Sequence, residues 1–344
     1  MRLTRLDGLR GLAACGVAFL YHPQSLFSPE TLAQAPRPLL WFQDWGWTLV
    51  DLFFLISGFI FAHVYLQESG AIPRERMAHF AVARFARLWP LHALMLAVCA
   101  LLFHADPGNT MLAFVAHVLM LQAFVQPVAH TFDGPSWSIS VEMVCYVLFA
   151  LAAAGGRRTL RWVTAAAIVV ALLHFLLQGR PGGPWVGDDV PRGLLGFFLG
   201  QLLWQLRDRL APAPVAVLVC ILVFGLSLDM GRMSSLLPLC LSAWPALLLL
   251  TLRAPWMGSA PMRWLGDRSY GIYLVHYPLL LVIERSWAPF GGGMATVWAV
   301  TIAFAATVLV LADVCYRLVE APCRRAIRDA WDQRVERRLV NSGV

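Results

Sequence analysis

The chain is poor in charge and contains no lysine. Only 14% of its 344 residues are charged against 59% hydrophobic, and all 27 basic residues are arginine. An ordinary soluble domain carries about 25% charged residues, so this composition argues against a water-exposed globular surface. Several motifs are missing as well. There is no G-x-x-x-x-G-K-[ST], no H-E-x-x-H and no G-x-S-x-G, which argues against a P-loop, a zinc-protease helix and a nucleophile elbow. No cluster has metal-ligand spacing, so no metal is expected. The seven cysteines include no C-x-x-C pair and lie mostly in apolar runs, where they read as small hydrophobic residues. A basic start and an apolar stretch open the chain, but no A-x-A-like site follows, so that stretch is expected to stay uncleaved. No repeat period or low-complexity tract is present.

What is present is apolar length. Charge-free stretches cover 11–29, 88–103, 107–132, 162–179, 210–228, 233–252 and 286–312, and several reach the roughly 20 residues a membrane-crossing helix needs. The expected fold is all-α, a polytopic membrane protein with about ten spans at 9–27, 45–65, 86–104, 137–154, 162–179, 192–206, 212–229, 234–252, 268–286 and 295–316. The net charge of +7 does not point to nucleic acid, because the arginines gather in alternate loops. With the N-terminus cytoplasmic, 22 of the 27 arginines fall on the cytoplasmic side, as the positive-inside rule requires. Arg37, Arg180, Arg192, Arg232 and Arg285 are the exceptions. Counting 107–132 as a further span would move the later basic loops outside, so Met111–Val125 is expected to lie in or dip into the outer half. Residues 1–325 form the expected transmembrane domain, and 326–344 a basic cytoplasmic tail against anionic lipid.

Ionisable residues inside such runs are costly and mark functional sites by default. His22 ends the first apolar run; imidazole is the natural general base near neutral pH, though His22-Pro23 also suits a plain helix end. Asp7 and Arg10 share a helical face and can pair. Arg84 and Arg87 stand at i, i+3, where two guanidiniums suit a phosphorylated ligand or a positive-inside anchor. Asp51 and Glu142 interrupt strongly apolar segments, and Ser138 lies one turn before Glu142. Glu142 can orient an imidazole, bind a sugar hydroxyl or simply start a helix. Ser269, Tyr273 and His276 form one polar stripe, read equally as an interhelix seam. Glu320 is expected to pair with Arg324.

Taken together these stretches resemble the acyltransferase-3 family of integral membrane acyltransferases. The resemblance rests on L-D-G-L-R-G-L-A-A…Y-H, V-D-L-F-F-L-I-S-G-F, R-F-A-R-L-W-P, W-S-I-S-V-E, P-R-G-L-L-G-F-F-L-G, R-S-Y-G-I-Y-L-V-H-Y-P-L and E-A-P-C-R-R, in that order. It implies a bacterial inner-membrane enzyme that takes acetyl-CoA or another acyl-CoA from the cytoplasm and acylates a carbohydrate or glycolipid hydroxyl. The family's Arg/His pair falls on Arg10 and His22, its R-x-x-R on Arg84 and Arg87, and its W-S-x-S-x-E on Trp137, Ser138, Ser140 and Glu142. The resemblance makes His22 and Glu142 the expected catalytic residues, and Arg10, Arg84 and Arg87 the donor site. Asp51, Trp137, Ser138, Ser140, Tyr273 and His276 are expected to bind substrate. The C-terminal hydrolase-like domain of two-module members is not expected. In one respect the sequence departs from the pattern: eleven residues separate Arg10 from His22, where the family has ten. Twelve steps of about 100° leave the two about 120° apart on a regular helix. Either a π-bulge near Gly11 or Gly16 absorbs the extra residue, or the pair does not act from one face. A secondary transporter of a sugar or small anion is the alternative, though no paired halves are visible.

Overall fold

The structure is a computed structural model describing residues 2–66, 77–178, 185–228 and 236–341. Arg74, Arg76, Arg180 and Arg232, and the expected span limits at 179, 229 and 234, lie outside the described residues. Among the described residues all regular structure is helical, apart from one isolated bridge between Phe27 and Phe290.

The principal helices are α1 (Thr4–Cys15), α2 (Arg37–Trp45), α3 (Leu49–Tyr65), α4 (Met77–Leu102), α5 (Met111–Val118), α6 (Trp137–Ala154) and α7 (Arg157–Gln178). They are followed by α8 (Asp189–Leu210), α9 (Val215–Ser227), α10 (Trp244–Thr251), α11 (Ala260–Trp287), α12 (Met294–Cys315) and α13 (Ala321–Asn341). Five stretches are long and apolar enough to cross a membrane: Arg37–Tyr65, Met77–Leu102, Gly134–Ala154, Arg157–Gln178 and Met294–Val335. Val215–Ser227 and Leu236–Thr251 are shorter apolar helices. This is a multi-pass, all-helical membrane protein. The helices that fall below this measure include α1, α8 and α11, which bury polar residues such as Asp7, Arg192, Gln201, Ser269 and His276.

Two seams make the core, joining α3 to α8 and α1 to α11. Each is built on glycine. A Cβ on Gly58 would strike the Phe197 carbonyl, and one on Gly200 the Leu55 carbonyl, so α3 and α8 touch backbone to backbone. Gly11 meets Leu265, and Gly266 meets the Asp7 backbone, in the same way. In lipid there is little hydrophobic drive between helices, so close backbone approach supplies the dispersion contacts instead. The outer helices contrast with this core. Of the most apolar 18 residues in each, Met294–Val335 buries 22% and Arg157–Gln178 28%, against 72% for Arg37–Tyr65. Leu173, Val223, Ile302 and Val310 point outward as a lipid-facing surface would.

The helices extend beyond the apolar stretches on which the spans were placed. α4 starts at Met77 rather than 86, α7 at Arg157 rather than 162, and α11 at Ala260 rather than 268. Arg84 and Arg87 are therefore well inside a helix. α5 is 8 residues long, about 12 Å, too short to cross a hydrocarbon core of about 30 Å. Thr110 caps it, accepting from the Ala113 amide at 3.2 Å. The division expected at residue 325 falls inside α13, which continues α12 through a π turn at Tyr316–Glu320. His79 of α4 approaches Asp332 of α13 at 3.7 Å.

Candidate active site

The first helix organises the site. After α1 the backbone widens into a π turn over Gly16–Tyr21 and tightens into a 3-10 turn over His22–Leu26. One π turn absorbs one extra residue, about 100° of rotation, so Arg10 and His22 return to nearly one face. Both meet α11. Arg10 donates from Nε to Ser269 Oγ at 2.9 Å and from Nη2 to the Gly266 carbonyl at 2.9 Å. Its Nη2 also lies 3.4 Å from Asp7 Oδ1, the pairing their spacing suggested. Twelve residues on, His22 Nδ1 stands 2.8 Å from His276 Nε2.

Each end of this contact opens on a cavity. The one at the Arg10 end, of about 100 Å³, is lined by Arg10, Arg84, Arg87, Glu142, Tyr146 and Tyr270 among others. Arg84 lies over the Phe61 ring at 4.9 Å and donates to the Tyr65 hydroxyl at 3.1 Å. Its Nε is buried without a partner. Arg87 makes no hydrogen bond or ion pair with any described residue. Glu142 is the one carboxylate in this lining. It accepts from Ser57 at 2.6 Å and from the Tyr146 hydroxyl, and forms no ion pair with the arginines. Three guanidiniums against one carboxylate leave a net positive cavity, suited to bidentate grip on phosphate oxygens.

The second cavity, of about 220 Å³, is at the His22 end, lined by Tyr21, His22, Trp47, His130, Trp137 and Arg192, with Tyr277 beside them. Tyr273 and Val50 line both cavities and form the wall between them. Tyr273 donates to the Pro135 carbonyl at 3.0 Å and accepts from Ser138 at 3.1 Å, which pins the wall to the start of α6.

Several expected residues stand elsewhere. Asp51 was expected to bind substrate, but it is 0% exposed and holds Arg192 of α8 through both carboxylate oxygens, at 2.8 to 3.2 Å. A buried charge needs such a partner. Ser140 lines neither cavity; its Oγ accepts from the Ala123 amide at 3.3 Å. Glu142 does not orient His22, because the two line different cavities and His276 occupies the neighbouring position. His276 is 0% exposed and touches His22 rather than either cavity. Glu320 does not pair with Arg324; it lies against Gly271, with Oε1 buried and unpartnered.

Two residues of the second cavity escaped sequence reasoning. Arg192 is sandwiched between the rings of Trp47 (4.7 Å) and Trp137 (4.8 Å). His130 reaches Asp189 at 2.9 Å and stacks on Trp137. The available signal was that Arg192 is one of few arginines on the outer side, where the positive-inside rule gives no reason for it.

The family profile described as an acyltransferase domain matches residues 3–317. An acyltransferase of Streptomyces mycarofaciens, MdmB, is 27% identical over 372 aligned residues, covering 95% of this chain and 93% of its own. Protein 2 of the picA locus of Rhizobium radiobacter is 31% identical over 51% of this chain and 96% of its own. The peptidoglycan O-acetyltransferase OatA of Listeria monocytogenes is 24% identical over 93% of this chain, which spans only 55% of OatA. No solved structure matches. The chain belongs to the acyltransferase 3 family and is a membrane acyltransferase.

Proposed function

We propose that the protein is an O-acyltransferase moving an acyl group, first of all acetyl, from acyl-CoA to a hydroxyl of a glycan or glycolipid. In this reading ten helices cross the bacterial inner membrane with both termini in the cytoplasm. The observation that carries it is the pair of cavities meeting at Tyr273, one lined by Arg10, Arg84 and Arg87 and the other by His22.

The chemistry follows from the two linings. The arginines hold the donor's phosphates at the cytoplasmic end, and the thioester points to the Tyr273 wall. The acceptor hydroxyl enters the second cavity, where aromatic faces suit sugar rings. His22 removes the hydroxyl proton as the oxygen attacks the thioester carbonyl. The C–S bond then breaks, coenzyme A leaves as the thiol once protonated, and the ester remains on the acceptor. Glu142, Ser57 and Tyr146 shape the donor cavity. Trp137 and Tyr273 line the acceptor's path, and Asp51 serves through Arg192. No metal takes part in this scheme.

The test is thiol release from acetyl-CoA by purified protein in nanodiscs, with and without a panel of bacterial oligosaccharides. Release that needs both an oligosaccharide and His22 is the expected result. A His22→Ala variant that binds coenzyme A yet releases thiol at the wild-type rate contradicts the reading.

A further inference from the structure

The contact between His22 and His276 determines which nitrogen of His22 can act. His276 Nδ1 lies 3.1 Å from the carbonyl of Ile272, one turn back in α11. A carbonyl oxygen only accepts, so Nδ1 of His276 carries the proton. In the neutral imidazole, Nε2 is then a bare lone pair, and it faces His22 Nδ1 at 2.8 Å. Two lone pairs would repel at that distance, so His22 Nδ1 carries a proton and donates it. The lone pair of His22 is thereby placed on Nε2, the nitrogen left to the cavity that His22 lines. The packing holds the pair in place: the rings stack at 4.9 Å with 27° between planes, Tyr21 and Tyr277 flank His22, and His276 is fully buried.

We propose that His276 is a positioning residue that fixes the tautomer of His22, with the Ile272 carbonyl setting its own tautomer in turn. This deepens, and rests on, the reading of His22 as the base. The relay Ile272 C=O···H–Nδ1 of His276, Nε2···H–Nδ1 of His22 uses a neutral acceptor where the Ser-His-Asp triad places a carboxylate. When His22 takes the acceptor's proton on Nε2, its Nδ1–H bond to His276 strengthens as charge develops. His276 therefore steadies the imidazolium without being protonated. A neutral acceptor also avoids leaving a carboxylate charge unpaired between apolar helices.

Two substitutions separate this role from a structural one. Glutamine places its amide near the position of Nε2, and asparagine near that of Nδ1. His276→Gln keeps an acceptor for His22 but loses the bond to Ile272; His276→Asn keeps the bond within α11 and loses the acceptor. We expect His276→Gln to retain kcat to within about tenfold. His276→Asn and His276→Ala should lose about 100-fold or more, the range for mis-set general bases, with KM for acetyl-CoA little changed. A merely structural residue would give the reverse order, and that order overturns the proposal. Nitrogen-15 spectra of histidine-labelled wild-type protein, with His22 assigned by its loss in His22→Ala, decide the case where all three variants are inactive. A protonated Nδ1 and bare Nε2 at His22 uphold the relay; a bare Nδ1 ends it. Wild-type activity in His22→Ala would instead remove the base assignment itself, a separate failure.

Discussion

At the residue scale, the proposed function divides the polar groups of the two cavities by task, and that division is measurable. Arg87 makes no hydrogen bond or ion pair with any described residue and lines the cavity proposed to hold the donor. A charge-assisted hydrogen bond is worth about 1.5–3 kcal/mol. Arg87→Ala should therefore raise KM for acetyl-CoA about 10- to 100-fold and leave kcat within about threefold; an unchanged KM would remove Arg87 from the donor site. The Asp51–Arg192 pair makes the opposite prediction. Removing one member of a buried pair costs about 3–5 kcal/mol because the other is left charged, whereas replacing both with apolar residues is far milder. Thermal unfolding in detergent should show Asp51→Leu and Arg192→Met each strongly destabilised, and the double variant more stable than either. Additive losses would contradict this. That Arg84 and Arg87 line one cavity was legible, because positive charges in an R-x-x-R on an apolar helix already point to a shared anion site. Arg192 was not, because it stands at the first residue of the 192–206 span with Asp188 and Asp189 close by, while its true partner is 141 residues away.

At the element scale, the site depends on helices brought together by glycine and on one π turn. Gly200→Ala would drive a methyl into the Leu55 carbonyl, part α3 from α8 and loosen Asp51 from Arg192. The expected cost is about 1–3 kcal/mol or more with reduced activity. Gly291→Ala, where a Cβ meets nothing within 4 Å, should be neutral. Equal stability of the two variants would contradict the seam. The π turn gives a register test. Deleting Ala18 restores the ten-residue spacing on a regular helix, so a folded variant should keep activity to within about tenfold. Inserting an alanine at the same point turns His22 by about 100° away from His276 and should abolish transfer. Equal activity of deletion and insertion would mean that the face shared by Arg10 and His22 is irrelevant. A bulge was one of the two readings the spacing left open, but the starts of α4, α7 and α11 were not visible in it. Hydropathy marks where a helix crosses lipid, while the helix itself continues through the arginine-bearing turns at its end.

At the scale of the whole molecule, inner helices line the two cavities and outer ones present apolar surface to lipid. α1, α8 and α11 are too polar or too short to stand as apolar spans, yet they supply Arg10, Arg192, Tyr273 and His276, and the turns that continue α1 supply His22. The polarity that weakens them as sequence signals is what makes them the interior. The central claim is that donor and acceptor are held in separate cavities at opposite ends of the first helix. The direct measurement uses proteoliposomes sorted by orientation, with labelled acetyl-CoA outside and oligosaccharides of glucose, galactose and N-acetylglucosamine trapped in the lumen. The account predicts labelled acetyl on luminal sugar when the cytoplasmic arginine face is outward, and none with His22→Ala. Acetylation found solely when donor and sugar share a compartment would contradict it.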